Sequence, residues 1–71
     1  MRYTIVIEKG PSSFGAYVPD LPGCVAAAET EKEVRQLIRE AIEFHLEGMR
    51  EDGIAAPEPL STADSVEVAF A

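Results

Sequence analysis

The residues able to do chemistry in this 71-residue chain are one histidine, one cysteine and an excess of carboxylates. His45 falls at the centre of an apolar helical stripe, where a solitary histidine is expected to pack rather than to catalyse or bind metal. Cys24 follows Gly23 and precedes Val25 to Ala28. With no base placed beside it by any predicted element, it reads as a small buried thiol and not a nucleophile. The carboxylates raise the chemistry of a two-metal nuclease, which needs several acids converging on cations about 4 Å apart. Here Glu8 and Glu67 sit at strand ends and most other acids follow one solvated helix face, so no convergent set is expected. Glycine-rich phosphate loops, zinc motifs and Ser-His-Asp sets are missing from the sequence. Neither a catalytic residue, a metal ligand nor a cofactor is assigned, and the chain reads as a non-enzymatic interaction module.

Charge narrows the partner. The formal net charge is -7. Arg2, Glu8, Lys9 and Asp20 cancel, so the excess begins at Glu29, where carboxylates outnumber Lys32, Arg35, Arg39 and Arg50. Phosphate contact needs basic groups, which disfavours direct nucleic-acid binding and favours a basic protein. An acidic surface also serves plain solubility. A lone cysteine and the lack of a signal-peptide pattern fit a reducing, cytoplasmic setting without membrane contact.

These residues must be positioned by few elements. Tyr3, Ile5 and Ile7 alternate with Thr4, Val6 and Glu8 as a strand. Lys9 to Ser13 is a turn, Phe14 to Val18 a second strand, and Cys24 to Ala28 a short third. Between the last two lies Tyr17-Val-Pro-Asp-Leu-Pro-Gly-Cys24, whose prolines and Gly23 demand a stiff corner. Thr30 and Glu33 form a capping-box pattern, placing a helix from Glu31 with Gly53 as its stop. Its inner face carries Val34, Leu37, Ile38, Ala41, Ile42, His45 and Met49, and Gly48 on that side suggests close backbone approach to the sheet or a second subunit. Pro57 and Pro59 make an extended connector, and Val66, Val68 and Phe70 predict a final strand. The expectation is a single α+β domain over residues 1–71, ordered β-β-β-α-β, with one helix on a four-stranded mixed sheet. A core this small, with an uncovered sheet face, also predicts a homodimer or homotetramer.

The run Val18-Pro19-Asp20-Leu21-Pro22-Gly23-Cys24, together with Thr30-Glu31-Lys32-Glu33, Ala41 to Leu46 and Pro57-Glu58-Pro59, resembles the HicB-like antitoxins of type II toxin-antitoxin systems. The resemblance covers nearly the whole chain. It implies a partial ribonuclease-H-like domain with a degenerate, inactive nuclease site that binds a small basic HicA-like messenger-RNA endonuclease. Asp20, Leu21, Pro22, Gly23, Glu43 and Glu47 are then the candidate partner-binding residues. Two departures stand out. No C-terminal DNA-binding domain is expected here, although family members commonly carry one, and Ala26-Ala27-Ala28 replaces a polar approach to the helix. An orphan oligomeric scaffold or ligand-binding domain of the same fold is the alternative, and a residual metal-dependent ribonuclease a more distant one.

Overall fold

The computed structural model describes residues 1–69. β1 (Val6–Lys9), β2 (Phe14–Tyr17) and β3 (Val25–Ala28) precede one helix, α1 (Glu31–Glu51). The strands form an antiparallel sheet in the order β1-β2-β3. Opposite residues include Ile7 with Ala16 and Ala16 with Ala26, so this row shares the face covered by α1. The other parity aligns Val6, Tyr17 and Val25 across the three strands, and both Tyr17 and Val25 are exposed. A period of two thus gives the sheet one packed face and one open, partly apolar face.

The helix boundaries follow from local chemistry. Thr30 is the N-cap: its Oγ1 accepts from the Glu33 N–H at 3.1 Å. Its hydroxyl also lies 2.9 Å from Glu33 Oε1, so the two residues brace each other as a capping pair. At the other end Gly53 adopts φ 72°, its N–H bonds Arg50 O, and the Ile54 N–H bonds Met49 O. These two bonds make a Schellman stop, which requires the left-handed conformation that Gly53 supplies without steric cost.

Ala16, Val18, Leu21, Cys24, Val34 and Ile38 form the buried core, and the helix lies chiefly over β3 and β2. Three expectations about packing are corrected. Leu37 is exposed and Leu46 packs against the core instead. Gly48 makes no close approach to the sheet: a side-chain carbon there would meet nothing of its own chain within 4 Å. The fourth strand is not formed among the described residues. Residues 66–69 pair with no strand, and Val66 and Val68 are 83% and 74% exposed. Phe70, the remaining apolar position of that expected strand, lies outside the described residues. The described sheet is therefore three-stranded and antiparallel, not four-stranded and mixed. The connector is anchored beside the start of β1 through Ser61, and beyond that anchor both valines stand exposed.

Candidate functional site

The corner between β2 and β3 is two consecutive turns. The Leu21 N–H bonds Val18 O and the Cys24 N–H bonds Leu21 O, each at 3.1 Å, while the Val18 N–H reaches Cys24 O at 3.2 Å and closes the loop. Pro19 and Pro22 each occupy the second position of a turn, where their fixed φ is already correct. Gly23, at φ 85°, takes the third position of the second turn, as a type II turn requires. Leu21, where the two turns meet, points inward and is 0% exposed. Val18, Leu21 and Cys24 all belong to the core. The motif therefore builds the domain as much as it decorates it.

Asp20 is equally committed. Its two carboxylate oxygens accept from the Ser61 N–H at 2.9 Å and the Ser61 hydroxyl at 2.8 Å. Thr4 Oγ1 donates to Ser61 O at 2.7 Å, and the Tyr3 hydroxyl donates to Pro57 O. The connector after α1 is thereby fastened to the corner and to the start of β1. Of the residues singled out in this corner, only Pro22 and Gly23 are left exposed to a partner; Asp20 holds the connector and Leu21 fills the core.

Glu43 and Glu47 stand on the outward side of α1, some 20 residues along the chain from the corner, and both are exposed. Between and beside them is Phe44, 81% exposed. Helical spacing surrounds its ring with Glu40, Glu47, Gly48 and Glu51, and a shallow depression is lined by Phe44, Glu47, Gly48 and Glu51. Gly48 leaves this depression open beside the aromatic ring. Sequence patterning set the acids on this face, but it did not single out Phe44. The available signal was an aromatic residue off the apolar stripe and among carboxylates. Arg39 pairs with Glu43 at 3.8 Å across open solvent, so that carboxylate is held only weakly.

The titratable groups offer little for catalysis. Cys24 is buried, and loss of solvation pushes its thiol above the usual range, away from the nucleophilic thiolate. His45 is half-buried on the helix flank. Among the described residues no group of three or more His, Cys, Asp or Glu is placed to hold a metal ion. No helix among them is long and apolar enough to cross a membrane.

A second concavity lies on the opposite flank of the helix. It is a groove of about 410 Å³ lined by the apolar Tyr3, Ile5, Ile42 and Leu46 and by the charged Arg35, Arg39 and Glu43. Because α1 sits over β3 and β2, the strip of helix beyond β1 has no strand beneath it.

Comparison with known proteins gives these surfaces a context. Residues 3–69 match the family described as HicB-like antitoxin of bacterial toxin-antitoxin systems. A UPF0150 protein of Helicobacter pylori is 36% identical over the full length of both chains. An uncharacterized 14.9 kDa protein in the rep-hol intergenic region of Haemophilus phage HP1 is 46% identical over 57 residues, covering 80% of this chain. This chain spans only 43% of that phage protein. A UPF0150 protein of Archaeoglobus fulgidus is 41% identical across 75% of this chain and 81% of its own. Among solved structures, a chain of the HicA3 and HicB3 toxin-antitoxin complex superposes with a TM-score of 0.70 at 32% identity, over 84% of this chain and 70% of the other.

Proposed function

This chain belongs to the HicB-like antitoxin family, and we propose that it acts by stoichiometric binding to a small, basic, HicA-like RNA endonuclease, in the cytoplasm and without enzymatic activity of its own. The likeness to a chain of a toxin-antitoxin complex supports this reading. The observation that carries it is the outward face of α1, where the exposed Phe44 ring stands among Glu40, Glu43, Glu47 and Glu51. An aromatic anchor with an open depression beside it is the usual centre of a protein contact, and a rim of like charge selects a partner of opposite charge. Pro22 and Gly23 offer a second contact point, stiffened by the two turns. The partial ribonuclease-H-like architecture belongs to the same reading, as does self-association.

The test pairs the purified chain with the product of a neighbouring basic reading frame. RNA cleavage by that product should be suppressed at equimolar ratio. Phe44→Ala should weaken binding at least tenfold without changing the melting temperature by more than a degree or two. Full inhibition by Phe44→Ala would move the contact to another face, and no binding at all would favour an orphan scaffold.

A further inference from the structure

We propose that two copies of this chain exchange their C-terminal arms: residues 62–69 of one copy lie along the open edge of β1 in the other and set Val66 and Val68 into the groove between β1 and α1. This interface meets the Phe44 face at Glu43, which lines the groove, but it does not rest on the toxin-binding reading.

Three observations fit together. β1 is an edge strand, so one row of its backbone donors and acceptors faces outward. Beside that edge lies the groove lined by Tyr3, Ile5, Ile42 and Leu46, where a further strand would place its inward side chains. The arm supplies what such a place needs. Val66 and Val68 alternate with Glu67, both valines are exposed, and the segment pairs with no strand in its own chain. Asp64 shares the parity of the two valines and therefore their face, which brings one carboxylate toward Arg35 and Arg39.

A second copy, rather than the same chain, is required by the anchoring of Ser61. Its contacts with Asp20 and Thr4 set it at the beginning of β1, immediately beside the groove. Val66 lies five residues further on, roughly 16 Å of extended chain. An arm running up its own β1 from that anchor would bring Thr62 and Ala63 opposite Ile5 and Val6, and carry Val66 to Lys9 and Val68 beyond it, both past Tyr3 and Ile5. They would pass their own groove and miss it. The shape of the molecule agrees with an arm that reaches outward: its extents are 52 × 27 × 16 Å and its radius of gyration 14.3 Å, against about 11 Å for a compact chain of this length. Reciprocal exchange uses the same two surfaces on both copies, so the assembly closes as a two-fold dimer.

The experiment uses the full chain. Light scattering across a micromolar dilution series should report a dimer, and Val66→Asp with Val68→Asp should raise its dissociation constant at least tenfold while helical circular dichroism is kept. In a mixture of differently isotope-labelled wild-type copies, filtered NMR should show contacts from the Val66 and Val68 methyls of one copy to Ile5 and Ile42 of the other. These contacts decide the matter even if the double variant fails to fold. A monomeric wild type, a dimer untouched by the double substitution, or valine contacts confined within one chain would each overturn the proposal.

Discussion

Asp20 shows how a residue that looks like a binding group from sequence becomes a structural one in three dimensions. It lies in an exposed-looking, proline-flanked loop, yet both of its oxygens accept hydrogen bonds from Ser61. Hydrogen bonds to a charged acceptor contribute roughly 1.5–3 kcal/mol each, and partial solvent exposure reduces that figure. Asp20→Asn, which keeps the shape but removes the charge, should therefore lower stability by about 1 kcal/mol. Ser61→Ala should cost a similar amount. Because the two side chains act on each other, the double variant should lose less than the sum of the single losses. Urea denaturation of the four proteins measures this, and strict additivity would mean the pair is not coupled in solution. Leu21 carries the same lesson: no local pattern distinguishes a leucine offered by a loop from one that closes the core, and only the two turns on either side direct it inward.

At the scale of elements, the two glycines of the helical region have opposite roles that a composition count would merge. Gly53 holds φ 72° at the end of α1, where a side chain is strained whatever space surrounds it. Gly48 lies inside α1 with open space around it. Gly53→Ala should destabilise the domain by about 1 kcal/mol through the left-handed conformation. Gly48→Ala should stabilise it by roughly 0.5–1 kcal/mol, since alanine favours a helix interior and nothing stands in its way. Thermal melts of both variants compare them directly. A Gly48→Ala protein that is more stable but binds the proposed basic partner less well would identify the depression beside Phe44 as a contact made through backbone approach. Losses of stability in both variants would show that α1 packs differently around Gly48.

For the whole molecule, the charge distribution is the property that reaches furthest. The carboxylates from Glu29 onward carry the whole negative excess of the chain, and fields of this kind act mainly on the rate of encounter. Glu43→Lys combined with Glu47→Lys should leave stability nearly unchanged, because both side chains are exposed. Association with a basic partner should slow by about tenfold at low salt, and the difference from wild type should shrink as ionic strength rises, while dissociation changes less. Stopped-flow measurements at several salt concentrations test this, and association rates equal to wild type at every concentration would remove steering from the account. The sequence by itself determined what short-range physics governs: the three strands, the capped start of α1 at Thr30, its stop at Gly53, the stiff turns at Pro19 and Pro22, the buried thiol of Cys24, and the family resemblance that rests on those same residues. Each depends on backbone dihedrals, capping bonds or periodicity within a few positions, and so can be read along the chain. Only the tertiary structure decided that Leu21 fills the core, that Asp20 is joined to Ser61 forty-one residues away, that Phe44 stands outside while Leu46 packs inside, and that Val66 and Val68 find no strand in their own sheet. Those outcomes depend on how the helix is rotated over β2 and β3 and on where the connector is fastened, contacts between distant segments that no local pattern encodes.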